Sequence, residues 1–521
     1  MRRFVCCLVL MALGVLAQEY TTIPLDTIRL GDSAKIENDV LVISVPKTPG
    51  ITNETRGATY DLKPELLAGK TIEISTEMRY KNVGSDTKTN PNYGAKCLAR
   101  ISSDGAISYQ SSPPCRGTKT EWTTVASYFT CGKSIEAFHL MLGIQQGWGN
   151  VEFRNLRWRP VNRSYVDYKL PENFRCEYTK EVLERPVLRG AMSSVPLKMT
   201  EMDIRDFASW SGKLIRFQLV GYTSTDMKIY NEWMDQCLDH LDKLAPVFAE
   251  CKVWFIIDVH SPPGARYRHA AAPGTAGKAA EYGNDPTFRM MNIDEYYEEF
   301  KKTWRKIVHR FKGRPYLYGY DLVNEPAQTT PVKHSYLQLQ YETALLIREL
   351  DPDTPIVVES NQWASPIAFT YLLPIPVKNV IYQVHMYQPS DYTHQGVHNK
   401  EKYRKAYPAS AILYPNPEKK WDFNFLHNTL QPVVDFQKKY GARILVGEFS
   451  ATTWAPGAEK YLDDVITVFE EYGWDWTYHA FREWVGWSVE HEGPPHHPPL
   501  AKEDTPRKKV LLKWFTRNAK P

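Results

Sequence analysis

A chain of 521 residues is long enough for two or more domains, and its 43% hydrophobic and 24% charged residues are typical of a globular protein. The net charge of +4 gives no case for a strongly basic surface, so neither nucleic acid nor an anionic membrane is a predicted partner. Aromatic residues are frequent, with 15 Trp and 31 Tyr, which predicts large cores and also flat apolar surfaces suited to ring stacking.

Residues 1–17 have the pattern of a signal peptide. Arg2 and Arg3 precede an apolar run, Phe4–Leu16, and small residues at Val15 and Ala17 form a cleavage pattern. The run is shorter than a membrane span, and no later stretch approaches that length. We therefore predict cleavage after Ala17 and export to the periplasm or the medium. An uncleaved membrane anchor is the alternative.

An exported protein can form disulfides, and six of the eight cysteines follow the predicted cleavage site. These six are Cys97, Cys115, Cys131, Cys176, Cys237 and Cys251. The spacing allows Cys97 to pair with Cys115 or with Cys131 inside one small domain, and it does not decide between them. No Cys-x-x-Cys pair occurs, so we predict no zinc site of that type, no other metal and no cofactor.

Residues 18–161 are predicted to form an all-β domain. Alternating apolar runs are separated by clusters of Gly, Asn, Asp, Ser and Pro, which indicates a β-sandwich. The runs are Val40–Val45, Thr71–Met78, Lys96–Ile101, Thr123–Phe129, Ala137–Ile144 and Val151–Trp158. The closing stretch, VEFRNLRWRPV, resembles the last strand of jelly-roll carbohydrate-binding modules. The domain therefore either binds glycan, with Trp148 in QQGWGN as the candidate contact, or is purely structural.

Residues 162–185 are mixed in composition and are predicted to be a linker, and residues 186–521 are predicted to form a second domain. There, strand-like runs alternate with amphipathic helices. The predicted strands are Val187–Met192, Leu214–Val220, Lys252–Val259, Tyr318–Val323, Pro355–Glu359, Val380–Met386, Arg443–Phe449 and Trp474–Phe481. The predicted helices are Glu201–Trp210, Tyr230–Phe248, Tyr296–Phe311, Tyr336–Leu350, Phe425–Tyr440, Ala458–Tyr472 and Lys508–Phe515. Eight such units close a (β/α)₈ TIM barrel, an α/β fold whose strands are apolar throughout because helices cover them.

Polar and aromatic side chains collect at the carboxyl ends of these strands, where TIM barrels carry their chemistry. They are Arg216, Asp258, His260, Asn324, Glu325, His385, Tyr387, Glu448, Trp484 and Trp487. In the stretch YGYDLVNEPA, Pro326 has no N–H for a sheet ladder, so the strand should end beside Glu325. Burying two glutamates costs free energy unless they are paired, so folding alone gives little reason for Glu325 and Glu448. We expect Asp258 to be structural and to face away from His260.

At these positions the second domain resembles glycoside hydrolase family 5, whose catalytic carboxylates lie on barrel strands four and seven. Asn324, Glu325 and Pro326 match the strand-four motif of the family, and Glu448 matches its strand-seven glutamate. The family's strand-two arginine, strand-three histidine and strand-six His-x-Tyr match Arg216, His260, His385 and Tyr387. The resemblance spans Val187–Phe515.

The resemblance implies a retaining glycosidase that works through a covalent glycosyl-enzyme. It implies Glu325 as the acid/base, with a raised pKa, and Glu448 as the nucleophile. Arg216 and Tyr387 are then expected to hold Glu448 ionised and oriented. The residues expected to contact the sugar are Asn324 at its 2-hydroxyl, and His260 and His385 beside the scissile bond.

The implied substrate is a β-1,4-glucan or a mannan, cut internally by a secreted enzyme that we expect to be a monomer. Within the same family, an exo-acting β-glycosidase or a transglycosylase is the alternative. A non-catalytic glycan-binding protein is the alternative from another class, and the presence of both glutamates disfavours it.

One position departs from the family pattern. The family has a Trp near the end of strand eight that forms a platform below the sugar, whereas WDWTYHAFREW places Tyr478 or His479 there. Trp484 is the candidate platform. The alternative is that Trp484 is a structural core residue of the barrel rim. Long loops at 261–291 and 388–420 are predicted to wall a cleft. The second loop carries Tyr392, Tyr403, Tyr407 and Tyr414.

Overall fold

The structure, a computed structural model, divides by its contacts into two compact units, Met1–Asn162 and Arg163–Pro521. It describes residues 19–47, 54–85, 93–103, 106–132, 134–161, 166–221, 224–267, 285–397, 405–412 and 418–518. The predicted signal peptide lies outside these ranges. Within them, no helix combines the length and the apolar character that a bilayer crossing requires.

The first unit is a sandwich of two antiparallel sheets, as predicted. Its strands are β1 Thr21–Thr22, β2 Arg29–Leu30, β3 Ala34–Glu37, β4 Val40–Val45, β5 Thr55–Leu62, β6 Thr71–Gly84, β7 Gly94–Ser103, β8 Ala106–Ser111, β9 Gly117–Thr130, β10 Ile135–Gln145 and β11 Trp148–Val161, with 3₁₀ turns at Leu25–Thr27 and Pro64–Leu66. One sheet has the order β3-β4-β11-β6-β9, with β1 added on β11, and the other has the order β2-β5-β10-β7-β8.

Alternating side chains build the sandwich core from both sheets. Leu41 and Ile43 of β4 are fully buried, as is Leu140 of β10 in the opposite sheet, and all three belong to one apolar cluster. The alternation with a period of two is what places every second residue inside. Trp148 is half-buried against this core, and the Lys47 ammonium lies 4.6 Å from the centre of its ring.

The six cysteines within the described ranges are free thiols. The predicted pairing of Cys97 with Cys115 or Cys131 is therefore not formed. Cys97 lies opposite Ser112, whose N–H donates to the Cys97 carbonyl at 2.8 Å, whereas Cys115 bridges to Ala95. The hairpin register thus sets Cys97 and Cys115 two residues apart instead of directly facing each other.

The second unit is a closed barrel of parallel strands, which confirms the predicted TIM barrel. Its strands are β12 Arg189–Met192, β13 Leu214–Gln218, β14 Trp254–Asp258, β15 Leu317–Asp321, β16 Ile356–Glu359, β17 Val380–Met386, a small hairpin of β18 Ala409–Ile412 and β19 Glu418–Trp421, then β20 Arg443–Phe449 and β21 Asp475–Tyr478. Strand β12 pairs with both β13 and β21, and this pairing closes the ring.

Helices cover the outside of the barrel. They are α1 Lys180–Glu184, α2 Glu201–Ser209, α3 Met227–Cys251, α4 Asp294–Phe311, α5 Tyr336–Leu350, the single turns α6 Asn361–Ala364 and α7 Ser390–Thr393, then α8 Phe423–Tyr440, α9 Ala458–Glu471 and α10 Pro506–Phe515, with 3₁₀ turns at Pro196–Lys198, Arg289–Met291 and Pro366–Thr370. Polar residues cap several helix starts. Thr200 and Asp203 form a reciprocal capping box at α2.

The segment that precedes the barrel packs onto it. The Cys176 N–H donates to the carbonyl of Tyr440 at 2.8 Å, and the Tyr178 hydroxyl donates to the carbonyl of Val380 at 2.8 Å. The Arg185 guanidinium lies 3.9 Å from the ring centre of Tyr318. Residues 166–185 therefore belong structurally to the second unit.

The inside of the barrel is apolar at the amino ends of the strands and polar at their carboxyl ends. The apolar layer is Leu188, Leu214, Ile256, Tyr318, Val357, Ile381 and Leu445. Side chains two residues apart on a strand share a face, so Arg216 follows Leu214 into the interior and Glu359 follows Val357. The polar residues therefore lie directly above this apolar layer, at the carboxyl ends of the strands.

Candidate active site

Arg216 lies at the centre of the polar end of the barrel and is completely buried. Its Nη1 donates to Glu448 Oε1 at 2.9 Å, and its Nε donates to Asp321 Oδ2 at 2.7 Å. Its Nη2 donates to Glu359 Oε1 at 2.9 Å and to Asn324 Oδ1 at 3.0 Å. A guanidinium removed from water requires such partners, and its rigid fork fixes where they lie. Arg216 therefore sets the relative positions of side chains from three other barrel strands or their ends, β15, β16 and β20.

Several carboxylates around this guanidinium repel one another. Asp258 Oδ2 lies 3.2 Å from Arg216 Nη2, in addition to the three carboxylates that accept hydrogen bonds. Burial raises the pKa of Asp321 well above its ordinary value, because the attraction of Arg216 is offset by repulsion from Asp258 and Glu359. Asp321 is therefore harder to ionise than an exposed aspartate.

A bulge in β20 aims Glu448 into the barrel. Leu445 points inward, so strict alternation would turn Glu448 outward. His385 of β17 pairs with Glu448, and the register shifts by one residue just before this pair, at Gly447. A Cβ at Gly447 would lie 2.3 Å from the side chain of Gln383, so only glycine fits this position of the bulge.

Hydrogen bonds and positive charges hold Glu448 as a carboxylate. The Tyr387 hydroxyl donates to Glu448 Oε2 at 3.0 Å, and His479 Nδ1 lies 3.4 Å from the same oxygen. Burial raises the pKa of Glu448, but the positive charges of His385, His479 and Arg216 outweigh it and hold the pKa well below its ordinary value. Glu448 is thus ionised and fixed at both oxygens.

His479 is one of the two residues expected at the family's tryptophan position, and it directly follows β21. Its Nδ1 donates to the Tyr387 hydroxyl oxygen at 2.5 Å, and its Nε2 donates to Glu483 Oε2 at 2.6 Å. Burial lowers the pKa of His479, but the Glu483 and Glu448 carboxylates raise it above its ordinary value. His479 therefore contributes a positive charge beside Glu448.

Glu325 follows β15 on a strained turn. Its φ of 53° lies in the left-handed region that residues other than glycine seldom adopt. Its N–H donates to Glu359 Oε2 at 2.6 Å, and its carbonyl accepts from Arg266 Nη2 at 2.8 Å. These two contacts hold the backbone of Glu325 from both sides.

The carboxylate of Glu325 meets the ring of His385, whose Nδ1 donates to Glu325 Oε1 at 3.2 Å. Burial raises the pKa of Glu325, but this hydrogen bond outweighs it and the pKa lies below its ordinary value. The predicted rise is therefore wrong for this structure. Burial lowers the pKa of His385, but the Glu448 and Glu359 carboxylates raise it well above its ordinary value, so the proton of the pair lies on the imidazole.

The two glutamates approach each other across this imidazole. One carboxylate oxygen of Glu325, one of Glu448 and one ring nitrogen of His385 all lie within 4.8 Å of one another. These are donor atoms that a metal ion accepts, but Arg216 and His385 already balance the two carboxylates. We assign no metal to the cluster.

A second chain of hydrogen bonds orients Asn324. Its Nδ2 donates to His260 Nε2 at 3.0 Å, and His260 Nδ1 donates to Asp258 Oδ2 at 2.8 Å. The prediction that Asp258 faces away from His260 is therefore wrong, because residues two apart on a strand point to the same side. Asp258 reaches Asn324 through His260 and directly contacts Arg216.

A cavity of about 610 Å³ opens above these residues. Of the residues singled out from the sequence, those that line it are His260, Glu325, His385, Tyr387, Glu448, His479, Trp484 and Trp487. Arg216 and Asn324 are buried beneath them. The ring of His479 stacks on Trp487 with centroids 5.8 Å apart, and Trp484 packs edge-on against Trp487 at 5.5 Å. The side of the cavity formed after β21 is thus an aromatic surface.

Trp363, which the sequence analysis did not select, also lines the cavity. It lies in α6, where Gln362, Trp363 and Ala364 have φ values of 55°, 59° and 53°, a left-handed turn built from residues other than glycine. Its side chain is 39% exposed, which is unusual for so large a ring. The strained turn therefore presents an indole to the solvent at the edge of the cavity.

Of the described residues in the two long loops, Gln388, His394 and Val397 of the second loop line the cavity. Tyr392 and Tyr407, predicted to wall a cleft, are buried in the barrel core. Tyr403, Tyr414 and residues 268–284 of the first loop lie outside the described ranges.

Three further residues of the site, Asp321, Glu359 and Glu483, had signals in the sequence. Asp321 lies in the stretch YGYDLVNEPA, and Glu359 ends a predicted strand, so the strand-end rule applied to strand five would have found it. His479 and Glu483 are four residues apart in WDWTYHAFREW, and only the folded turn after β21 brings them into contact.

Comparisons with known proteins agree with this geometry. The family profile of Cellulase (glycosyl hydrolase family 5) matches residues 184–485, more than half of the chain. Endoglucanase C of Acetivibrio thermocellus is 24% identical over 271 residues, which cover 47% of this chain and 74% of that protein. Cellodextrinase A of Ruminococcus flavefaciens is 20% identical over 321 residues, which cover 60% of this chain and 83% of that protein.

Among solved structures, the endoglucanase Cel5A of the hyperthermophilic Thermotoga maritima is similar in fold. It is 20% identical in sequence, and the match covers 63% of this chain and 96% of that chain with a TM-score of 0.46.

Proposed function

The chain belongs to glycosyl hydrolase family 5, the cellulase family, and is a glycosidase; on that premise we propose that it cleaves β-1,4-linked glucan by double displacement with retention of configuration. In this proposal Glu448 is the nucleophile and Glu325 is the acid/base. The relatives named endoglucanase and cellodextrinase support a glucan as the default substrate.

The separation of the two glutamates carries the proposal. Retaining glycosidases place their carboxyl groups about 5–5.5 Å apart, whereas inverting enzymes leave about 6.5–9.5 Å for a water molecule. Here one oxygen of Glu325 and one of Glu448 lie within 4.8 Å. This distance supports direct attack by a carboxylate, because it is close to the separation in retaining enzymes and shorter than that in inverting enzymes.

In the first step, Glu448 attacks the anomeric carbon while the leaving oxygen takes a proton from Glu325. The carboxylate of Glu448 is ready for attack because its pKa is held low and Tyr387 orients it. In the second step Glu325, now a base, removes a proton from water, which attacks the glycosyl-enzyme and frees Glu448.

In this proposal His385 carries the proton for the first step, since its pKa is raised by the neighbouring carboxylates. Its Nδ1 lies 3.2 Å from Glu325 Oε1, close enough for the proton to move to the carboxylate when charge develops on the leaving oxygen. Negative charge on Glu448 raises the pKa of His385, and that charge disappears once Glu448 is esterified. The pair therefore releases a proton more readily in the glycosyl-enzyme, when Glu325 must act as a base.

A polysaccharide panel tests the substrate, and NMR tests the stereochemistry. We expect reducing ends to appear with β-1,4-glucans, and the first product detected by proton NMR to be the β-anomer. Products from long and short oligosaccharides separate internal cleavage from exo action and from transglycosylation. A first product in the α-configuration would contradict the double displacement.

Trp363 is proposed as a platform that stacks on the glucan chain at the edge of the cavity. Replacing it with alanine removes one stacking contact, worth about 0.5–1.5 kcal/mol, so KM for a long oligosaccharide should rise about three- to tenfold with kcat unchanged. A short aryl glycoside that does not reach this edge should show the wild-type KM. Steady-state kinetics on both substrates measure the difference.

The control for this prediction is Ile367→Ala. Ile367 is 55% exposed in the 3₁₀ turn that follows α6, and it does not line the cavity. Trp363→Phe keeps a ring on the same backbone and should retain most of the affinity. An unchanged KM in Trp363→Ala would remove the platform from the proposal.

We also propose that residues 1–17 direct export and are removed. The pattern of basic, apolar and small residues supports this. Whether the sandwich binds glycan is a separate question that pull-down of residues 18–161 on insoluble cellulose addresses. Edman sequencing of the exported protein should begin at Gln18.

A further inference from the structure

Glu359 is a buried carboxylate that the mechanism above does not use. It ends β16, its side chain is completely buried, and it does not line the cavity. A carboxylate in such a place costs free energy unless its oxygens accept hydrogen bonds. Both oxygens of Glu359 accept hydrogen bonds, one from Arg216 and the other from the backbone of Glu325.

One oxygen of Glu359 leads to the nucleophile. Oε1 accepts from Arg216 Nη2 at 2.9 Å, and Nη1 of the same guanidinium donates to Glu448 at 2.9 Å. Because the guanidinium is planar and rigid, fixing one of its nitrogens fixes the direction of the other. Glu359 thus sets the orientation of the group that holds Glu448.

The other oxygen leads to the acid/base. Oε2 accepts from the backbone N–H of Glu325 at 2.6 Å. Glu325 has a φ of 53°, a strained conformation that persists only when surrounding contacts impose it. This hydrogen bond is one of the contacts that impose it, so Glu359 also sets where the Glu325 side chain begins.

The surroundings hold Glu359 itself in place. Gln340 accepts from its N–H at 2.9 Å and donates to its carbonyl at 3.0 Å. Gln383 donates to Oε1, and the missing Cβ of Gly447 makes the space for the Gln383 side chain. The bulge that aims Glu448 and the clamp on Glu359 are therefore the same local structure.

We propose that Glu359 is a positioning residue that fixes the separation of Glu325 and Glu448 by tying the Arg216 guanidinium to the Glu325 backbone. The inference rests on the proposed roles of the two glutamates. It adds a third carboxylate, on strand five, to a site whose chemistry lies on strands four and seven.

Charge gives the proposal a second consequence. Glu359 Oε1 lies 3.6 Å from His385 Nε2. The other charged groups that face His385 are the carboxylates of Glu325 and Glu448 and the imidazole of His479. Removing the charge of Glu359 should lower the pH at which His385 loses its proton, because one of its three carboxylate neighbours is gone.

Two variants separate position from charge. Glu359→Gln keeps the shape but sets an NH₂ group against one of the donors, and Glu359→Asp keeps the charge but shortens the arm. Both should lose about 10²-fold in kcat with KM nearly unchanged, the loss that a misplacement of about 1 Å produces. Only Glu359→Gln should shift the ¹⁵N titration of the His385 ring to lower pH, by about one unit or more.

Asp475→Asn is the matched control, because this buried carboxylate at the amino end of β21 also accepts a backbone N–H, from Leu188 at 2.7 Å, and pairs with an arginine, Arg443, at 3.2 Å. It should lower Tm and keep kcat and the His385 titration. Should Glu359→Gln not fold, Glu359→Asp carries the same kinetic test. Wild-type kcat in a folded Glu359 variant, or an equal loss of kcat in Asp475→Asn, would overturn the proposal. The NMR titration does not depend on turnover. A wild-type protein without glycosidase activity would contradict the proposed function, and the titration would still test the contact between Glu359 and His385.

Discussion

Glu448→Ala should lose hydrolysis almost completely, with kcat lower by a factor on the order of 10⁵, the loss found when a covalent nucleophile is removed. The anomeric carbon then has no carboxylate within reach, because the other glutamate lies on the side of the leaving group. Initial rates on an aryl β-glycoside measure the loss.

The same variant should fold. Arg216 keeps three carboxylate neighbours, Asp258, Asp321 and Glu359, when Glu448 is removed. The lowered pKa of Glu448 means that its charge is attracted by the surrounding positive groups, so its removal should lower Tm by a few degrees and leave the protein folded at the assay temperature. A strong fall in Tm would mean that the loss of activity reports unfolding.

Azide gives the decisive readout for Glu448. The ion is small enough to enter the space that the carboxylate leaves and to attack from the same side. The product should be the inverted α-glycosyl azide, formed at a rate that rises with azide concentration. Glu470→Gln is the control. Glu470 is ion-paired with Arg189 at 2.6 Å at the amino end of β12, so its loss should reduce stability and leave the rate unchanged.

The positions of the polar residues in the barrel follow from the sequence to a large extent. Strands covered by helices are apolar, so a polar residue at a strand end stands out, and Arg216, His260, Glu325, His385 and Glu448 were found in this way. Glu359 ends strand five with the same signal, so its position also follows from the sequence.

Other features of the site depend on contacts that a pattern of period two does not describe. The bulge at Gly447 turns Glu448 inward. The bulge depends on the packing of the Gln383 side chain against this glycine, a contact that the sequence pattern does not show. The left-handed turn that exposes Trp363 contains no glycine, so the sequence does not predict it. In each case the backbone departs from its regular form because tertiary contacts outweigh the local preference.

The charge states were the least predictable part. The resemblance implied a raised pKa for Glu325, yet its pKa is lowered by the hydrogen bond from His385. That direction depends on how one proton is shared among Glu325, Glu448 and His385. Such sharing is set by distances of 3–4 Å, which sequence spacing does not give.

Glu325→Ala should lose about 10²–10⁴-fold in kcat/KM on substrates with poor leaving groups, the usual contribution of general acid–base catalysis. A leaving group that needs no proton, such as dinitrophenolate, should still depart and leave the glycosyl-enzyme on Glu448. Because no base then activates water, this intermediate should accumulate and show a burst of dinitrophenolate followed by slow turnover. Stopped-flow absorbance measures both phases.

Azide should rescue this variant with the opposite stereochemistry. It attacks the glycosyl-enzyme from the side that Glu325 occupied, so the product is the β-glycosyl azide, with retained configuration.

The alkaline limb of the pH profile should also disappear in Glu325→Ala, since it reports loss of the proton that Glu325 and His385 hold together. His385 alone would keep its proton on the Glu448 side, where it reaches no leaving oxygen. An alkaline limb that persists in Glu325→Ala would therefore assign the catalytic proton to another group and leave Glu325 with a role in binding only.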